Sequence, residues 1–140
     1  MTNKERQFVL PMAELIDRLT IDQIKELLIP GHKESFSREM ELICNDLDQI
    51  IEEKKLKLSS RILRIVIALA QINLHIWFNK DQMQKEPDRY AELLKLSHQL
   101  NGIRNQIKNL LLEETKDKDK SSERTNFNTD GLEGWDISIK

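Results

Sequence analysis

The chain has 140 residues, with 22 Lys and Arg against 24 Asp and Glu and a formal net charge of -2. That length fits one domain with a real core, and the near-balance of charge gives no electrostatic case for nucleic acid as the main partner. Four Gly, three Pro and one cysteine argue against a loop-rich β fold and exclude an intrachain disulfide, so a reducing, cytoplasmic setting is expected.

The first stretch, MTNKERQFVLPMAEL, has no uninterrupted apolar run of signal-peptide length, because Glu5 and Glu14 interrupt it. A first helix is predicted from Pro11, which suits a first helical position, to Leu28, ending at Ile29-Pro30-Gly31. Met12, Leu15, Ile16, Leu19 and Leu27 make one apolar stripe with Gln23 inside it. Ile21, Ile24 and Leu28 make a second, with Asp17 at its edge. Two stripes predict two neighbours for this helix. A second helix is predicted over Ser37 to Leu56, with Ser35 or Ser37 as cap and Met40, Ile43, Leu47, Ile50 and Ile51 facing inward.

A third helix is predicted from Ser59-Ser60 to Lys85, before the break at Glu86-Pro87-Asp88. Its Ile62–Phe78 part is the most apolar of the chain, but Arg64, Gln71, Asn73 and His75 interrupt it. It reads as a buried helix rather than a membrane span, which needs roughly 20 mostly apolar residues. A fourth helix is predicted over Arg89 to Glu114. Its stripe Leu93, Leu96, Leu100, Ile103, Ile107, Leu110 alternates steps of three and four, like a coiled-coil seam. Short turns between long helices predict an all-α, antiparallel four-helix bundle over residues 1–115. Residues 116–140 read as a tail: a polar, flexible linker to about residue 129, then an apolar cluster of Leu132, Trp135, Ile137 and Ile139. That cluster is expected to fold back on the bundle or to dock on a partner as a short strand or peptide, with plain disorder the third alternative.

Projecting each helix at about 100° per residue puts polar groups among the apolar ones. Asn73 falls in the middle of the third helix's apolar face, Ile62, Ile65, Val66, Leu69, Ile76 and Trp77, and Lys80 lies one turn further on. Gln71, His75 and Arg64 fall opposite. Arg104 interrupts the stripe of the fourth helix, bordered by Asn101 and Lys108. A buried charge without a partner costs several kcal/mol, so these groups must find one another. Asp17 is expected to pair with Arg104, whose fork can bind a carboxylate through two hydrogen bonds, with Asn73 joining or adjoining them. Such a network either fixes helix register or serves a ligand.

Three segments, Glu14–Lys25 (ELIDRLTIDQIK), Ile72–Met83 (INLHIWFNKDQM) and Leu100–Leu111 (LNGIRNQIKNLL), resemble in order and spacing an uncharacterised family of short helical bacterial proteins. That family shows E-L-I-D-K-L-T-I, then I-N-x-x-L-W-x-x-E-D, then N-D-x-R-x-x-I-K. The matching positions are Glu14, Asp17, Thr20, Lys25, Asn73, Trp77, Asp81, Asn101, Arg104 and Lys108. The resemblance implies a setting near glycosyltransferases in polysaccharide gene clusters and no assigned activity. Lys80, Gln84 and Gly102 depart from the family's pattern, which weakens any acid–base role for its carboxylates here.

No catalytic residue can be assigned, and no cofactor or metal is expected. His32, His75 and His98 share no ligand spacing, and Cys44 has no base beside it. Glu52-Glu53 and Glu113-Glu114 lack the further carboxylates that helical Mg²⁺-dependent pyrophosphohydrolases need. Two functions stay open. One is an accessory or interaction protein, a homo-oligomer such as a dimer or part of a hetero-complex, supporting surface-polysaccharide synthesis. The other is a binder or enzyme for a sugar nucleotide or phosphorylated sugar, with Asp17, Asn73, Lys80, Asn101, Arg104 and Lys108 lining its pocket and its cations free to meet an anion.

Overall fold

The computed structural model describes residues 5–8, 10–116 and 138–139. Four helices pack against one another: α1 (Met12–Leu28), α2 (Lys33–Lys54), α3 (Ser60–Lys85) and α4 (Tyr90–Glu114), with a 3₁₀ turn at Pro87–Arg89 before α4. Each boundary has a local cause. Pro11 has its fixed φ of -59° just ahead of α1, and its carbonyl accepts from the amides of Glu14 and Leu15. Gly31, at φ +86°, makes the turn into α2, a conformation in which a side chain would be strained. The left-handed Lys55, at φ 51°, ends α2. Ser59 caps α3, its Oγ accepting from the Ile62 amide at 3.1 Å. Pro87 cannot continue α3, and the chain re-enters a helix only after the 3₁₀ turn.

Helix α2 differs from its predicted start. It begins at Lys33, not Ser37, and neither Ser35 nor Ser37 caps it; His32 stands at the cap without a side-chain hydrogen bond. The Pro30-Gly31 turn is tight enough for the helix to restart at once, and Glu34 in the first turn favours the positive end of the helix dipole.

The core is formed by Leu15, Ile43, Ile65, Leu69, Leu100, Ile107 and Leu111, all but closed to solvent, with the aliphatic residues around them. Helix α1 touches all three other helices, one more than its two stripes predict. Helices α3 and α4 share the most extensive contact. Helix α2 lies along α1 alone and makes no close backbone approach to α3 or α4. The α4 seam is therefore used up inside the bundle, against α3, and is not an outward surface.

Where α2 diverges from α3, an open apolar groove of about 920 Å³ remains, floored by Leu19, Ile24 and Leu27 of α1 and walled by Met40 of α2 and Leu74 and Phe78 of α3. The first-stripe residue Leu27 and its neighbour Gln23 are exposed, for the same reason: α2 does not reach over them. Among the described residues, α3 is also the one helix long and apolar enough to cross a membrane by length and composition. Its apolar residues are divided between an inward face and an outward one.

At the chain ends, the Gln7 and Phe8 amides donate to the buried carboxylate of Asp46 on α2, at 2.9 Å and 2.7 Å. Ile139 is buried against the same core, and the Ser138 hydroxyl accepts a hydrogen bond from Arg64 at 2.9 Å. Of the four apolar tail residues, Leu132, Trp135 and Ile137 lie outside the described residues.

Candidate functional site

Asp17 projects from the middle of α1 toward α3 and α4 and is 2% exposed. An ionised carboxylate at such a site must have every lone pair used. Arg104 of α4 reaches it through both Nε, at 3.2 Å to Oδ1, and Nη2, on Oδ2. Asn73 of α3 donates through its amide to Asp17 Oδ1 at 2.9 Å and to the Thr20 hydroxyl oxygen at 2.8 Å. Thr20 in turn donates to the Asp17 carbonyl at 2.7 Å. The buried Lys108 of α4 pairs with Glu14 one turn before Asp17, and its Nζ lies 3.8 Å from Asp17 Oδ2. Two anions and two cations thus close on one another where three helices meet.

The structure brings together Asp17, Asn73, Arg104 and Lys108 by direct contact. Lys80 and Asn101 lie beside them without joining the network. They line a separate small pocket between α1, α3 and α4, of about 280 Å³, together with Lys25, Asn73, Trp77 and one edge of Arg104. Lys80 is exposed and Asn101 half-buried. Asp81, the remaining motif position, turns outward and pairs with Lys85 at 2.9 Å. The other motif positions, from Glu14 to Lys108, all fall on this one seam.

Sequence reasoning missed two buried carboxylates. Asp46 stands between Ile43 and Ile50 at helical spacing, and that position on the inward face of α2 was the available signal. Asp22 is buried between α1 and α2, one turn after the Asp17 group. Its Oδ2 has no hydrogen-bond partner among the described residues. Burial, and then the neighbouring charge of Glu39, push its pKa up to about 6, against the smaller opposing pull of Lys25 and Arg18. Cys44 is exposed on the rim of the apolar groove, and burial of its sulfur followed by the Asp48 charge raises its pKa, so the thiol rather than the reactive thiolate is favoured. Among the described residues no group of three or more His, Cys, Asp or Glu stands together in a way that could hold a metal ion.

No protein-family model, curated protein or solved structure matches the chain.

Proposed function

We propose that the protein is a self-associating interaction protein that pairs with a second copy through the outward face of α3. The observation that carries this reading is the run Leu63, Ile67, Leu74 and Phe78, which stands 47%, 55%, 37% and 49% exposed along one side of the helix. With Ala70 between them the steps are four, three, four and four, so the residues form a stripe about 22 Å long at 1.5 Å per residue. Large apolar side chains scattered singly need no explanation, but a continuous exposed stripe of this kind marks a contact surface.

The stripe is also self-complementary. A twofold axis between Ala70 and Gln71 lays two copies of α3 antiparallel, with Leu63 of one opposite Phe78 of the other and Ile67 opposite Leu74. This is the reciprocal pattern an isologous dimer requires. The small side chain at the centre lets the helices approach. Leu27 and Leu28 of α1, exposed beside Phe78 in the groove, extend the apolar surface at each end. A role beside polysaccharide-synthesising enzymes is supported by the motif resemblance and rests on it alone.

Light scattering on a sizing column tests the pairing. The wild-type chain is expected at twice its 16.5 kDa mass at micromolar concentration. Ile67→Glu, which changes an exposed position and spares the core, is expected at the monomer mass with unchanged helicity. A wild-type chain that stays monomeric to high micromolar, or a dimer indifferent to Ile67→Glu, overturns the reading. Flotation of a monomeric wild-type chain with phospholipid vesicles would assign the stripe to a membrane surface instead.

A further inference from the structure

We propose that the small pocket between α1, α3 and α4 binds the phosphate group of a small phosphomonoester. Three cationic residues line it, Lys25, Lys80 and Arg104, and no carboxylate does. Like charges gathered in a partly enclosed space raise one another's energy. Asp17, the counter-charge of Arg104, is already shared with Lys108. Lys80 forms no ion pair among the described residues. Lys25 forms no ion pair among the described residues, although its ammonium leans toward α2, 5.8 Å from the Phe36 ring and within the field of the Asp22 carboxylate.

Arg104 is held ready for an anion. Asp17 takes its Nε and Nη2, fixing the plane of the guanidinium, while Nη1 makes no hydrogen bond among the described residues. An arginine braced in this way keeps its remaining donors aimed without losing side-chain entropy on binding. Asn73 is braced likewise: its amide nitrogen is committed to Asp17 and Thr20, and its Oδ1 accepts nothing among the described residues. An uncommitted amide oxygen on a residue that lines the pocket suits a ligand hydroxyl. Asn101 adds a second uncommitted amide and Trp77 an apolar wall.

Volume limits the ligand. At about 280 Å³ the pocket lies at the lower edge of the range for small-molecule sites, roughly 300–1,000 Å³. That holds a phosphorylated polyol or a single sugar phosphate, and it is too small for a nucleotide sugar. The phosphate would sit between Arg104 and Lys80, and a hydroxyl of the ligand would reach Asn73.

This inference is independent of self-association, because Asn73 and Lys80 lie about a quarter to a third of a turn of α3 away from the exposed stripe. Calorimetric titration of the full chain with inorganic phosphate, glycerol 3-phosphate and glucose 6-phosphate, at matched ionic strength, tests it. Binding of at least one ester more tightly than inorganic phosphate is expected. Lys80→Ala, at an exposed position with no ion pair to lose, is expected to weaken that binding about tenfold, the usual order for losing a hydrogen bond to a charged group. Asn101→Asp, which brings a negative charge into the pocket, is expected to abolish it. Absence of heat with all three probes overturns the proposal, as does an affinity that neither substitution changes. Binding of inorganic phosphate as tight as that of both esters leaves the anion site and removes the role of Asn73.

Discussion

Asp17 and Asp22 stand five residues apart on the same helix, and both are nearly closed to solvent. They meet opposite conditions. Asp17 faces α3 and α4, where Arg104, Asn73 and Lys108 supply donors to both carboxylate oxygens. Asp22 faces α2, where it meets another carboxylate, Glu39, and Oδ2 goes unpaired among the described residues. Burial alone therefore says nothing about whether a charge helps the fold; the chemistry of the opposing helix decides it. The seam α1–α3–α4 is closed by charge, whereas the α1–α2 side is held by apolar contact and tolerates an unsatisfied acid near the open groove.

The sharpest way to break this comparison is to remove the donor on the satisfied side. Arg104→Ala leaves Asp17 buried with its main partner gone and Lys108 as the nearest cation. Destabilisation of about 3–5 kcal/mol is expected, the usual cost of orphaning a buried charge, read as a shift in the urea midpoint. The double substitution Arg104→Leu with Asp17→Leu is expected to recover much of that loss, because two apolar groups of suitable size can replace a buried pair at little cost. A single substitution costing under 1 kcal/mol would mean that Asp17 reaches water, and the network would then not be closed.

A middle-sized effect is expected at Asp46, where the partners are backbone amides rather than side-chain cations. Its carboxylate takes the amides of Gln7 and Phe8 and so ties the segment before α1 to α2. Asp46→Ala is expected to cost about 2 kcal/mol, in line with losing hydrogen bonds to a charged group and leaving two amides unpaired. Amide hydrogen exchange at Gln7 and Phe8 should accelerate markedly while exchange in α4 stays slow. Equal acceleration throughout would mean that Asp46 supports the whole core and not this strap.

How much of this the sequence disclosed follows from which contacts are local. The helices were legible because Pro11, Pro30-Gly31, Ser59 and Pro87 act on the backbone within a residue or two of themselves. The Asp17–Arg104 pairing was legible because Arg104 interrupts an apolar stripe, Asp17 borders one, and each needs an opposite charge. The outward face of α3 was not legible. Helical projection places Leu63, Ile67, Leu74 and Phe78 together, yet α3 is apolar on most sides, and only the divergence of α2 from α3 leaves that side uncovered. The α4 seam shows the converse limit: periodicity reveals that a face will be buried but not whether a neighbour in the same chain will bury it. Asp22 escaped notice because its i+3 neighbour Lys25 gives it a ready surface explanation, and the acid it meets, Glu39, belongs to another helix.

The smallest expected effect reverses sign relative to the others and depends on pH. Asp22 has a pKa raised from 3.8 to about 6 in the folded chain, by burial first and by Glu39 second. Below about pH 4 it is protonated in both folded and unfolded chains and carries no penalty. Between those values the folded chain keeps a proton that the unfolded chain releases, so stability falls as pH rises; above about 6 the full penalty of an ionised, half-satisfied acid is present. Asp22→Asn is neutral at every pH and offers an amide donor toward Glu39. It is therefore expected to be more stable than wild type by about 1–2 kcal/mol at pH 8, after allowing for solvent screening, with the gain shrinking to nothing at pH 4. Urea unfolding at the two pH values measures this directly. A gain of equal size at both would trace to packing rather than titration, and a loss at pH 8 would mean that the Asp22 charge has a donor after all, making the two sides of α1 alike.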